Sequence, residues 1–137
     1  MKKVYIAGKL SNSSKDSAVG YIQNVSTMMQ CAEDVRQKGF SVFVPSHDLL
    51  MGIKFGDYDY PDYFENNIEW LKVADYIFVC PNSEDSIGTQ KEIDIALSLN
   101  IPVFYELMSL LTRRETDKDE RPQENRENMQ TPSTEMA

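Results

Sequence analysis

Four short runs rich in Val, Ile, Phe and Tyr divide the first 106 residues of the chain. Each run lies close to Gly, Pro or Asn, which is typical of a β-strand bounded by turns. The pattern therefore predicts four short strands, at residues 4–7, 41–44, 75–80 and 102–105.

The segments between these strands have helical patterns. Across residues 18–38, apolar residues recur every three or four positions and would form one apolar face of a helix. Gly39 follows at the position where a helix often ends in a left-handed residue. Further helices are predicted at residues 62–73 and 89–99, and a short final helix at residues 106–111.

Strands that alternate with helices indicate an α/β fold in which a parallel sheet has helices on both faces. Right-handed crossovers limit the arrangements that such a chain can adopt. With four strands, the most economical arrangement is a three-layer sandwich of the flavodoxin or Rossmann type. We therefore predict a small parallel sheet with the strand order 2-1-3-4.

The last part of the chain differs sharply in composition from the rest. From Arg113 onward the sequence has no apolar periodicity and almost no residues that could offset the entropy lost on ordering. We predict one domain at residues 1–112 and a disordered polar tail at residues 113–137.

Composition excludes several function classes. The formal net charge is −8, which argues against an electrostatic nucleic-acid binder. No run approaches the roughly 20 apolar residues that span a bilayer, and the N-terminus lacks a secretion signal, so we expect a cytoplasmic protein without a membrane partner. Cys31 and Cys80 lie in apolar patterns without a CxxC motif, which predicts reduced, buried thiols and no metal.

A ligand site is expected where the strand order reverses. In an open α/β sheet, ligands bind beyond the carboxyl ends of the strands at this point, here between the first and third strands. The loops at residues 8–17 and 81–88 meet there and are rich in hydroxyl and small side chains. The helix predicted after the second loop starts at the crevice, so its N–H groups, with Ser86 and the amides near Gly88, favour a phosphate.

Glu92 is the candidate for chemistry in this crevice. It lies in the predicted first turn of the helix at residues 89–99, where the helix dipole would keep a carboxylate ionised. An ionised carboxylate can act as a nucleophile or stabilise positive charge when a glycosidic bond breaks. Alternatively, Thr89 and Glu92 form a capping box, in which Glu92 returns to the backbone amide of Thr89.

Three segments resemble motifs of one known superfamily. Residues 86–96 (SIGTQKEIDIA) resemble the S-x-G-x-x-x-E-x-x-x-A signature of the nucleoside 2-deoxyribosyltransferase-like superfamily. Residues 4–8 (VYIAG) resemble its first strand and Y-x-x-G turn, and residues 71–75 (LKVAD) resemble its L-x-x-A/C-D motif. The resemblance covers residues 3–106. The superfamily includes deoxyribosyltransferases, 2′-deoxynucleoside 5′-phosphate N-hydrolases and small phage and bacterial proteins.

The resemblance implies a role for each matching residue. Glu92 would attack the anomeric carbon of the sugar, and Tyr5 would lie beneath the sugar and hold that carboxylate. Ser86 matches the serine that binds a 5′-phosphate in the hydrolases, which favours a nucleotide over a nucleoside and hydrolysis over transfer. The other predicted substrate- and phosphate-binding residues are Gly8, which would allow close approach of the ligand, together with Lys9, Ser11 and Gly88.

One position departs from the superfamily pattern. In the second helix, Asn67 stands where the superfamily usually has an aspartate that contacts the sugar or assists proton transfer to the base. Asparagine can form hydrogen bonds with a hydroxyl but cannot carry a proton at neutral pH. Two functions therefore remain open, an N-glycosidic bond enzyme acting on a (deoxy)nucleoside 5′-monophosphate and a catalytically weak or inactive nucleotide-binding module. The resemblance also implies a homodimer or larger homo-oligomer, and we expect no cofactor.

Residues 47–63 form a long, aromatic and acidic segment that we interpret as a loop. Loops of this length in compact domains are often lids or binding loops. The alternative is a surface loop whose aromatic residues cover the sheet edge or a dimer contact. His47, the single histidine, is a weaker candidate for acid–base chemistry because no carboxylate partner is evident in the sequence.

Overall fold

The computed structural model describes residues 1–10, 17–45, 48–56 and 60–120. Within them lies one four-stranded parallel sheet with the strand order β2-β1-β3-β4, which confirms the predicted fold class and topology. The strands are β1 (Lys3–Ala7), β2 (Ser41–Phe43), β3 (Tyr76–Val79) and β4 (Val103–Phe104).

Helices occupy the connections between the strands and the end of the described chain. They are α1 (Ser17–Gln37), α2 (Asp48–Phe55), α3 (Tyr60–Leu71), α4 (Ile87–Ser98) and α5 (Leu107–Glu120). Gly39 follows α1 with φ of 93°, the left-handed conformation predicted for it. Among the described residues, no helix is both long enough and apolar enough to cross a membrane.

The two central strands are covered on both faces. Tyr5 of β1 lies in register with Phe43 of β2 and with Ile77 of β3. Every residue of β3 is buried, as are the last four residues of β1. Such complete burial explains why these strands appear in the sequence as continuous apolar runs rather than as alternating patterns.

A separate apolar cluster covers each face of the sheet. One cluster contains buried residues of β1 and β3 together with Met28 and Val35 of α1 and Leu110 of α5. The other contains Tyr5 and Ile77 packed against α3 and α4. The sheet therefore lies between two helical layers, and its strand ends are left to face the connecting loops.

Two segments differ from the sequence-based prediction. Part of the segment at residues 47–63 forms α2 rather than a loop, and α3 begins at Tyr60. The α2 sequence DLLMGIKF is apolar on most sides and contains a glycine, so no amphipathic period is visible in it.

The second difference is that α5 continues to Glu120, through residues 113–120, which the sequence assigns to a disordered tail. Polar contacts with the domain order this stretch. The Tyr76 hydroxyl donates a hydrogen bond to Asp117. Arg114 donates a 2.6 Å hydrogen bond to the Lys38 carbonyl and lies 4.3 Å from the centre of the Phe40 ring. Residues 121–137 of the predicted tail lie outside the described residues.

Candidate functional site

The carboxyl ends of β1 and β3 lie side by side. Ala7 is in register with Val79, and the Cys80 backbone N–H donates a 2.8 Å hydrogen bond to the Ala7 carbonyl. The chain leaves both strands at this edge of the sheet. The two polar segments predicted to meet at the strand-order reversal therefore start next to each other.

Lys9 joins these two segments. Its backbone N–H donates a 3.1 Å hydrogen bond to Ser83 Oγ, and its ammonium group lies 2.7 Å from Asp85. Ser83 is buried, and the Lys9 ammonium lowers the pKa of the Asp85 carboxyl group. Neither Ser83 nor Asp85 was among the sequence candidates. Their only signal was the hydroxyl-rich composition of the loop, because both contacts span more than 70 residues of sequence.

Gly8 has a packing role that the sequence did not reveal. A Cβ atom added at this position would lie 3.0 Å from both Cβ and Sγ of Cys80 and 3.2 Å from Cε of Met28. These distances are too short for a side chain to be accommodated without movement of its neighbours. Close packing against Cys80 therefore accounts for the glycine, and its role in admitting a ligand stays a prediction.

Ser86 is the N-cap of α4. Its Oγ accepts a 3.2 Å hydrogen bond from the Thr89 backbone N–H and a 2.9 Å hydrogen bond from the Thr89 hydroxyl. The helix therefore begins at Ile87, and Glu92 lies in its second turn rather than its first. The proposed capping box of Thr89 and Glu92 is wrong, because Ser86 already accepts from the Thr89 amide.

The cap also determines what remains available on Ser86. A hydroxyl group has two acceptor positions and one donor proton. Since the two hydrogen bonds from Thr89 use both acceptor positions, the O–H of Ser86 is left to donate to another group. Ile87 and Gly88 follow in the first turn of α4, where backbone N–H groups have no partner within the helix.

Glu92 has an unusual electrostatic environment. The residue as a whole is partly exposed, yet protein atoms surround its carboxyl group, and this burial raises the pKa to about 7. A hydrogen bond donated by the Tyr5 hydroxyl acts in the opposite direction and is the smaller effect. The expectation that the helix dipole keeps Glu92 ionised is therefore wrong, because the dipole weakens beyond the first turn while desolvation remains.

Tyr5 is held rigidly beneath this carboxyl group. It is fully buried, and its ring stacks on Phe43 with 5.5 Å between ring centres. Phe43 in turn stacks on Trp70 of α3, also at 5.5 Å. This column of three aromatic rings, one from each of β1, β2 and α3, fixes the direction in which the Tyr5 hydroxyl points. Sequence analysis identified Tyr5 but missed Phe43, whose contact depends on strand register.

Asn67 lies on the buried face of α3. It precedes Ile68, which belongs to the same apolar cluster as Tyr5 and Ile93. Its side chain is buried, and its Oδ1 atom has no hydrogen-bond partner among the described residues. An unsatisfied buried acceptor costs about 1–3 kcal/mol.

Two sequence candidates, Ser11 and His47, lie outside the described residues. Within the described ranges, no group of three or more His, Cys, Asp or Glu side chains is arranged to hold a metal ion. The residues that surround the strand ends are thus a desolvated carboxyl group, a buried tyrosine, hydroxyl groups and a helix N-terminus.

The sequence was compared with protein-family models and with curated proteins. A family model described as a domain of unknown function, DUF4406, matches residues 2–105. A search of curated proteins gave no significant match.

Two solved structures share the fold. One is a 2-deoxyribosyltransferase from Bacillus psychrosaccharolyticus, with 27% sequence identity, a TM-score of 0.51, and coverage of 77% of this chain and 78% of that chain. The other is a conserved protein from Enterococcus faecalis V583, with 23% identity, a TM-score of 0.50, and coverage of 75% of this chain and 61% of that chain. The chain therefore belongs to the DUF4406 family, and its fold is that of the nucleoside 2-deoxyribosyltransferases.

Proposed function

We propose that the protein cleaves or transfers the N-glycosidic bond of a (deoxy)nucleoside 5′-monophosphate, with Glu92 as the nucleophile. The observation that carries this proposal is the desolvated Glu92 carboxyl group beside the Tyr5 hydroxyl, at the carboxyl ends of the central strands. The similarity to a 2-deoxyribosyltransferase supports nucleoside glycosyl transfer in general.

The proposed reaction begins with attack on the sugar. One Glu92 oxygen approaches the anomeric carbon as the bond to the base breaks, and the bonding electrons leave with the base, which takes up a proton. The transition state resembles an oxocarbenium ion, so a negative carboxylate beneath the ring stabilises it. Water, or a second base, then attacks the same carbon and releases the carboxylate.

Tyr5 and burial prepare Glu92 for this step. The Tyr5 hydroxyl donates to the carboxyl group and is itself held by the stacked Phe43 and Trp70 rings, so the carboxylate keeps one orientation. With a pKa of about 7, Glu92 is about half ionised at neutral pH. A desolvated carboxylate has little water to shed before it attacks, which lowers the barrier to bond formation.

The start of α4 supports a phosphate on the substrate. The O–H of Ser86 and the backbone N–H groups of Ile87 and Gly88 are donors, and the positive end of the helix dipole favours an anion there. Lys9 is a further N–H donor at the same edge of the sheet, held in place by its ion pair with Asp85. This donor set is the reason we propose a 5′-monophosphate. The resemblance of Ser86 to the serine of the hydrolases favours hydrolysis over transfer.

Asn67 favours a second candidate function, a nucleotide-binding module with little or no turnover. Its buried Oδ1 is an acceptor without a partner in the described structure, and a movement that exposes this atom would let it accept from a ligand hydroxyl. It cannot supply a proton to a leaving base as an aspartic acid could. The two candidates share a ligand and differ in whether the bond to the base breaks.

The first prediction concerns the nucleophile. We expect Glu92→Gln to lower release of free base from deoxynucleoside 5′-monophosphates on the order of 10³-fold or more, because the amide cannot form the glycosyl ester. Release is followed by chromatography across a panel of nucleotides. Asp94→Asn is the matched control, since Asp94 is exposed on the same helix and should retain wild-type activity. Equal activity of Glu92→Gln and the wild type would contradict the proposal.

The second prediction concerns pH. Only the ionised form of Glu92 attacks, and the pKa of this group is about 7, so kcat/KM should rise between pH 5.5 and 8 with a midpoint near 7. The profile is measured with both a deoxynucleoside and its monophosphate, because the phosphate itself titrates at about pH 6. A midpoint common to both substrates belongs to the protein. A rate that is constant or falls over this range would contradict a carboxylate nucleophile of raised pKa.

The third prediction separates the two candidate functions at Asn67. We expect Asn67→Asp to raise turnover by about 10²-fold, because burial keeps part of the new carboxyl group protonated and able to donate to the leaving base. Asn66→Asp is the control, since Asn66 is its exposed neighbour on α3.

Turnover is compared with calorimetric binding of the same nucleotide. If both aspartate variants turn over at the wild-type rate, the proton-delivery interpretation of Asn67 is wrong. Tight binding without any turnover in all three proteins would identify a binding module instead.

A further inference from the structure

We infer that Cys31 and Cys80 form a peroxide-sensitive dithiol, which hydroperoxides oxidise reversibly to a disulfide linking α1 to the end of β3. The pair plays no part in the proposed glycosidic chemistry. Both thiols are free and buried, and both belong to the apolar cluster that covers the α1 face of the sheet.

A cavity gives small molecules access to Cys31. Cys31 lies on α1 and lines a cavity of about 470 Å³ whose wall also includes Gln30, Asp34, Pro81 and Tyr105. Tyr105 is exposed, so the cavity borders solvent. Hydrogen peroxide is little larger than water, and a cavity of this size admits it to the thiol.

The two thiols belong to the same buried cluster. Cys80 follows β3 directly, and the Cys31 and Cys80 side chains share a hydrogen bond. This hydrogen bond lowers the pKa of Cys31 and outweighs burial and the charge of Asp34, which act in the opposite direction. The same hydrogen bond, with burial, raises the pKa of Cys80. Because Cys31 borders the larger cavity, which opens to solvent beside Tyr105, it is the attacking thiol, and Cys80 is the resolving thiol.

The chemistry has two steps and balances with one molecule of hydrogen peroxide. The Cys31 thiolate attacks a peroxide oxygen, the O–O bond breaks, and Cys31 becomes a sulfenic acid while hydroxide leaves and takes up the thiol proton as water. The Cys80 sulfur then attacks the Cys31 sulfur, the S–O bond breaks, and a second water leaves. The two sulfur atoms together lose two electrons, which the peroxide gains.

Oxidation would alter the packing around Cys80, which lies next to residues of the proposed active site. Cys80 Sγ lies 3.0 Å from the position of a Cβ on Gly8, so this sulfur packs closely against the residue that follows β1. Cys80 also lines a small cavity of about 80 Å³ with Lys9 and Ser83, and the charge of Glu92 reaches its thiol. A bond that draws Cys80 toward α1 changes the packing between the two loops.

The test uses the full-length reduced protein, hydrogen peroxide, and alkylation of the remaining thiols before mass spectrometry. We expect the native protein to lose the mass of two hydrogens, to yield a Cys31–Cys80 linked peptide, and to regain both thiols with dithiothreitol. Disulfides found only between chains, or no oxidation of the native protein while the denatured protein reacts, would overturn the inference.

Single variants test the order of the two steps. In Cys80→Ser, Cys31 should stop at the sulfenic acid, which dimedone traps. In Cys31→Ser, Cys80 should react at least about tenfold more slowly than Cys31 does in Cys80→Ser, because it lacks the access and thiolate character of Cys31. Equal reactivity of Cys31 in folded Cys80→Ser and of Cys80 in folded Cys31→Ser would contradict the assigned roles. These readouts need no substrate, so they stand apart from the outcome of the activity assays.

Discussion

Burial of the Glu92 carboxyl group against the Tyr5 hydroxyl is the constraint on which the proposed chemistry depends. Its pKa rises from an ordinary value of 4.5 to about 7 because protein replaces water around it. In the unfolded chain the same group releases its proton at lower pH, so the native state loses stability as pH rises from about 4.5 to 7. The loss is on the order of 3 kcal/mol. The packed sheet must offset it.

The fold holds the surroundings of the carboxyl group in a fixed arrangement. Tyr5 occupies the central strand, and register with β2 and β3 places the stacked Phe43 ring on one side of it and Ile77 on the other. The Ser86 cap fixes where α4 starts, and hence which residue of the second turn faces Tyr5. Lys9 ties the loop after β1 to Ser83 and Asp85 in the loop before α4.

Much of the fold could be predicted because the strands and helices follow from local sequence patterns, and the strand order follows from general rules of chain topology. Alternating strands and helices predicted the strand order, and the position of the helix after β3 indicated Glu92 and Ser86. Motif resemblance added Tyr5 and Asn67 as candidates. Other features needed coordinates. The helical state of α2 has no amphipathic signal, and α5 is ordered by contacts of Arg114 with the distant Lys38 and Phe40. The direction of the Glu92 pKa shift was wrong in the sequence-based prediction because desolvation depends on tertiary packing.

The proposed reaction requires that Glu92 has a desolvated carboxyl group that titrates near neutral pH. Carbon-13 NMR of protein labelled at the glutamate side-chain carboxyl, with Glu92→Gln to assign the resonance, follows this ionisation directly and without substrate. We predict a midpoint at about pH 7 for Glu92. A midpoint near 4.5, the ordinary value for glutamate, would contradict it.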